Sequence, residues 1–137
     1  MAVVVFDADV LIAYLGREDA SHARAVECMR ASLEPATRRI VSAVNYSEVL
    51  IGPLRVGGAA AAARVDEMFV RFGIETIVVD RPLAQRAAAV RERTNLKLPD
   101  AYVLATAIHA DKRGWEEVRL ETFDVALAAA DAQLRPA

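Results

Sequence analysis

The sequence predicts a three-layer α/β/α sandwich with a central parallel sheet of four or five strands. Three observations carry that expectation. Short apolar runs alternate with longer segments of helical periodicity in the order β-α-α-β-α-α-β-α-α-β-α, and strands separated by helices pair in parallel. The first run, Ala2 to Phe6, is apolar at every position and mostly β-branched, the pattern of a buried strand. Carboxylates then stand where strands give way to helices, beginning with Asp7 and Asp9.

In chain order, Val10 to Leu15 resumes as a short apolar helix after the two acids. Gly16 to Ala20 is a polar break, and Asp19 or Ser21 suits the cap of a helix running to about Leu33. Arg39 to Val44 reads as a second strand or a strand-to-helix join. Asn45 to Val56 reads as a helix with Val49, Leu50 and Leu54 apolar and Glu48 acidic; Pro53 should kink or end it. Gly57-Gly58 marks a break. Ala59 to Phe72 is a strong Ala-rich helix closed by Gly73. Ile74 to Val79 is the third strand. Asp80-Arg81-Pro82 opens the next helix, ending near Asn95. Leu98-Pro99-Asp100 opens another, to about Lys112 and Gly114. Val118 to Thr122 is the last clear strand, and Asp124 to Leu134 a terminal helix.

The 137 residues are expected to form one domain, 1–137, with a single core. Hydrophobic residues make up 55%, too many for a disordered chain. A net charge of −2 argues against gripping nucleic acid by bulk electrostatics alone. It leaves room for a nucleic-acid enzyme, because charge can be segregated. Lys97 and Lys112 are the only lysines; the other basic residues are Arg, which suits bidentate phosphate contacts. Cys28 is the only cysteine, so an intramolecular disulfide and a thiolate metal cage are both excluded, in keeping with a reducing cytoplasm. The N-terminal apolar run lacks a basic flank and breaks at Asp7, unlike a signal peptide. No run approaches the ~20 residues of a membrane span. A cytoplasmic location is expected.

Four acids stand apart from the solvated charge: Asp7, Glu48, Asp100 and Asp124. Singly, each has an ordinary explanation. Asp7, Asp100 and Asp124 suit helix capping, and Glu48 suits a solvent-facing helix position. Together they suggest more, because strand C-termini and the helix N-termini that follow them share one edge of a parallel sheet, where ligands bind. Carboxylates gathered there repel one another unless protonated or neutralised. A hard divalent cation with oxygen ligands, such as Mg²⁺, relieves the repulsion. The chemistry this supports is metal-assisted phosphodiester hydrolysis. His22 and His109 are isolated and read as ordinary helix residues.

At these residues the sequence resembles the PIN-domain ribonuclease family, and within it the VapC-type toxins of bacterial toxin–antitoxin pairs. The matching pieces are VVVFDADVLIAYL, SAVNYSEVLIG, LKLPDAYVLATAIHA and LETFD; their order and spacing extend the resemblance over essentially the whole chain. The resemblance implies a PIN-like fold and a metal-dependent endoribonuclease. It implies Asp7, Glu48, Asp100 and Asp124 as the quartet holding Mg²⁺ or Mn²⁺, with Thr122 orienting the last acid or a water. Asp9 stands where the family more often has Ser, Thr or Asn; a ligand, an acceptor behind the ligands and a helix cap are its open roles. Phe123 stands where a polar residue is commoner. The resemblance further implies a homodimer, and a cognate antitoxin that occupies the active-site groove. The apolar helices Asn45–Val56 and Ala59–Phe72 are interface candidates or core. Arg38, Arg39, Arg81, Arg86, Arg91, Arg93 and Lys97 are candidates for a basic rim that positions RNA phosphates.

Three rival readings start from the same residues. Asp7-Ala8-Asp9-Val10 fits the opening of haloacid dehalogenase-type phosphatases, with Asp7 as nucleophile and Asp9 as general acid. That reading leaves Glu48 without a role and lacks a well-placed Lys. A non-catalytic PIN-like module binding RNA or protein would be expected to lack one or more of the four acids. A response-regulator-like phosphoacceptor would want a Lys after the last strand, and none is there.

Overall fold

The computed structural model describes residues 1–114 and 117–136. The elements run β1 (Ala2–Phe6), α1 (Ala8–Leu15), α2 (His22–Ser32), β2 (Thr37–Ser42), α3 (Ala43–Phe72), β3 (Ile74–Ile77), α4 (Arg81–Thr94), α5 (Leu98–Lys112), β4 (Glu117–Glu121) and α6 (Val125–Leu134). Among the described residues the sheet has four strands in the order β3-β2-β1-β4. Every pairing is parallel, with Val5 opposite Ile40 on one side and Leu120 on the other. The segment after Asp124 forms α6, so the sheet takes the lower of the two expected strand numbers.

The layers follow from side-chain alternation along β1. Val3 and Val5 face one way and pack with Leu83, Ala87 and Val90 of α4, Leu104 and its neighbours on α5, and Leu127 of α6. Val4 and Phe6 face the other way, against Val10 and Leu11 of α1, Met29 of α2, and Val49, Val65 and Phe69 of α3. Ile40 and Val41 of β2 repeat the division. A strand covered on both faces has no room for polar side chains, which accounts for the unbroken apolar run of β1. Burying four such side chains contributes roughly 1.5–3 kcal/mol each.

Several boundaries differ from the sequence expectation, each for a local reason. The second strand ends at Ser42, not Val44, because the Ser42 hydroxyl accepts the Asn45 N–H at 3.2 Å and starts a helix there. The helices expected at Asn45–Val56 and Ala59–Phe72 are the two arms of α3. Pro53 removes one backbone donor without ending the helix; the break is Gly58, at φ 63° and ψ −150°, a region that essentially only Gly occupies. Gly73 closes α3 in the left-handed conformation, its N–H reaching Phe69 and Val70 carbonyls. The first helix starts two residues early, at Ala8. Among the described residues, no helix is long and apolar enough to cross a membrane.

Candidate active site

Four separate segments bring acids to the edge where the strands end. Asp7 follows β1, and its N–H donates to the Glu121 carbonyl at 2.9 Å, extending the β1–β4 ladder by one rung. It occupies the N-cap position of α1 but its carboxylate makes no capping bond. Instead Oδ2 accepts from the Thr122 hydroxyl at 2.7 Å. Asp7 is 5% exposed. Burial raises its pKa to about 6; the Thr122 hydrogen bond pulls it down, and the charges of Asp9 and Glu48 push it up.

Glu48 lies in the second turn of α3. Its Oε1 accepts from Asn45 Nδ2 at 2.9 Å. The same Nδ2 donates to the Pro99 carbonyl at 3.0 Å, at the start of α5. Asp100 follows Pro99 in the first turn of that helix and is not its cap, which is Lys97. Burial raises the Asp100 pKa to about 6, reinforced by the charges of Asp7, Asp124 and Glu48 and opposed by Lys97. Asp124 does cap a helix, its Oδ1 accepting the Leu127 N–H at 2.9 Å. Its charge is nonetheless felt at both Asp9 and Asp100.

Thr122 joins the first and last acids. Its hydroxyl donates to Asp7, and the same oxygen accepts the Asp124 N–H at 3.0 Å. Asp9 fastens the loop from behind: Oδ2 accepts the Phe123 N–H at 3.0 Å and lies 3.4 Å from the Thr122 hydroxyl. Its other oxygen is buried with no partner among the described residues. Burial raises the Asp9 pKa, against the Phe123 and Val10 N–H groups and Thr122, which lower it.

The structure thus brings Asp7, Glu48, Asp100, Asp124 and Thr122 together and adds Asp9. Sequence reasoning missed Asn45 and Ser42, which hold Glu48 in place. The available signal was Asn three residues before Glu, one helical turn away. It also missed Arg24, whose guanidinium lies 4.4 Å from the centre of the Phe123 ring, beside Asp124. The basic rim is smaller than expected. Arg38 and Arg39 lie in the first half of β2, away from the acids. There Arg38 pairs with Glu75, and Arg39 donates to the Phe72 and Ser32 carbonyls. Arg91 donates to the Asn95 and Leu96 carbonyls. His22 is structural: Nδ1 lies 2.9 Å from the Ala13 carbonyl, tying α2 to α1. The Cys28 thiol is pushed up to about 11 by burial and by Glu121, so it is inert.

As the side chains stand, no group of three or more His, Cys, Asp or Glu residues among the described residues is drawn up tightly enough to grip a metal ion. The donor set is nevertheless the right kind for one. It is all carboxylate oxygen, the choice of a hard cation, and it includes a buried oxygen on Asp9 without a partner. Like charges with nothing between them are expected to stand apart until neutralised.

A parallel sheet with carboxylates from four segments at its C-terminal edge defines an α/β protein with an acidic centre. The PIN domain model matches residues 4–133, and the chain belongs to that family. Among solved structures it is similar to the Mycobacterium tuberculosis toxin VapC20, described as cleaving the sarcin–ricin loop, with 22% identity, 95% of each chain covered and a TM-score of 0.69. It is similar to a toxin–antitoxin complex from Klebsiella pneumoniae, with 26% identity, 99% of this chain and 93% of that one covered, and a TM-score of 0.67. It is also similar to VapBC-1 from nontypeable Haemophilus influenzae at 14% identity, 97% and 94% coverage and a TM-score of 0.67. By sequence, no curated protein matches at a significant level.

Proposed function

We propose that this protein is a metal-dependent endoribonuclease that hydrolyses RNA phosphodiester bonds, and that it is the toxin of a toxin–antitoxin pair. The observation that carries the reading is the gathering of carboxylates from separate segments at one edge of the sheet, where burial and their neighbours' charges both oppose ionisation. Asp7 and Asp100, 93 positions apart in sequence, are both pushed up to about 6, mainly by burial; the charge of Glu48 adds to both shifts, and that of Asp7 adds to the shift of Asp100. A fold that gathers carboxylates at this cost has a use for them. Asp7, Glu48, Asp100 and Asp124 would hold Mg²⁺ or Mn²⁺. The bound metal would polarise the phosphoryl group and lower the pKa of an attacking water.

The protein's own residues do the rest. Thr122 fixes the Asp7 carboxylate and the start of α6, which carries Asp124. Asn45 fixes Glu48 and the start of α5, which carries Asp100. Lys97, whose charge reaches Asp100, and Arg24, over the ring of Phe123 next to Asp124 in sequence, are cations suited to flanking RNA phosphates. The phosphatase reading weakens at Asp9, whose Oδ2 is already taken by the Phe123 N–H. Support for protein partners is the exposed apolar surface on α3, where Val56 is 90% exposed and Ile51 and Leu54 about half. A cognate antitoxin and a second copy of this chain are the proposed occupants.

The test is RNA cleavage by purified protein in Mg²⁺ or Mn²⁺ against EDTA, beside Asp7→Asn and Asp100→Asn. Cleavage that needs metal and is lost in both variants is the expected result. Metal-independent cleavage, or variants as active as the parent, would refute it.

A further inference from the structure

We infer that Asn45 is a positioning residue for the acidic centre, setting the separation of Glu48 from Asp100 and hence the affinity for a divalent cation. The inference rests on the metal reading above. Asn45 is 0% exposed, so each of its polar groups must be matched inside the protein. Oδ1 accepts from the Ser42 hydroxyl at 2.5 Å. Nδ2 has two acceptors, Glu48 Oε1 at 2.9 Å and the Pro99 carbonyl at 3.0 Å. Both neighbours of Nδ2 only accept, so the amide has one orientation, and a side chain without an N–H donor leaves both unmatched.

The bond to Pro99 spans 54 positions of sequence and joins two helices. One amide therefore fixes the Glu48 carboxylate and the first turn of α5 at the same time. The next residue after Pro99 is Asp100, whose carboxyl feels the Glu48 charge. Without the amide, two carboxylates that repel each other lose the group that sets their spacing. Removal of a partner behind a metal ligand commonly weakens metal binding 10–100-fold.

The experiment is a Mn²⁺ titration followed by calorimetry on the full chain, in a double-mutant cycle of Asn45→Ala and Glu48→Gln. Asn45→Ala alone is expected to weaken Mn²⁺ binding about 10–100-fold. In the Glu48→Gln background the same change should weaken it less than about threefold, since interacting sites are not additive. Equal weakening in both backgrounds would mean a general structural role and would overturn the inference, as would unchanged binding in a folded Asn45→Ala. Should Asn45→Ala fail to fold, Asn45→Asp keeps the side-chain size and the Ser42 contact and enters the same cycle. Absence of Mn²⁺ binding by the parent protein would overturn the metal reading itself, and this inference with it.

Discussion

Asp7 and Asp100 each trade stability for a concentrated charge. For Asp7 the carboxyl shifts from 3.8 in the unfolded chain to about 6 in the folded one. Between those values the folded state holds the extra proton, so metal-free stability is full below about pH 4 and is lost as pH rises through 6. The melting temperature without metal is therefore expected to be higher at pH 5 than at pH 7.5; equal values, or a rise with pH, would contradict the assignment. By the same reasoning Asp7→Asn should abolish cleavage while stabilising the metal-free protein at pH 7.5 by on the order of 1–2 kcal/mol. A denaturant titration at that pH reads the gain directly. Asp7 and Asp124 were legible as acids just past strand ends, whereas Glu48 and Asp100 lie on helices and stood out only as members of the set. Asn45 was not singled out, since its one signal, a place one helical turn before Glu48, does not say that the amide is buried and bonded to Pro99. Asp9 was visible, but the choice between ligand, acceptor and cap depended on where Phe123 lies.

At the scale of the element, two of the three glycines in α3 have opposite duties. Gly58 breaks the helix at φ 63°, with nothing within 4 Å of where a Cβ would sit. Gly58→Ala therefore meets only backbone strain, and a loss of about 1–3 kcal/mol is expected. Gly52 is helical and also has open space around its Cβ position. Gly52→Ala should stabilise by roughly 0.5–1 kcal/mol. Urea midpoints for the pair check both signs; a loss at both positions would mean that α3 is strained throughout. The break itself was legible as Gly57-Gly58. Its nature was not, because Pro53 is the louder signal in sequence and yet the chain continues helically through it. The displaced end of β2 has a similar origin. Val44 favours a strand by type, but the hydroxyl of Ser42 decides the matter locally.

For the molecule as a whole, the sequence makes each strand visible but not the order of strands. The pattern of alternating elements is compatible with several parallel arrangements, and β3-β2-β1-β4 is fixed by which faces the helices cover. That order places the last strand against the first. A fragment ending at Gly114 lacks β4, Thr122 and Asp124, and leaves one edge of β1 open. It is expected to lose its near-ultraviolet circular dichroism and to expose apolar surface to dye, as a collapsed state without fixed packing does. A sharp, cooperative melting transition in that fragment would show that β4 is dispensable to the core.

The pairing of Phe6 with Glu121 also sets a clock. A ribosome adds about 5–20 residues each second, so roughly ten seconds separate the emergence of Asp7 from that of Thr122, its hydroxyl partner. Through that interval the most apolar strand of the chain waits without one of its neighbours, and the acidic centre does not exist. Any activity of this centre is withheld from the nascent chain until Thr122 and Asp124 have been made.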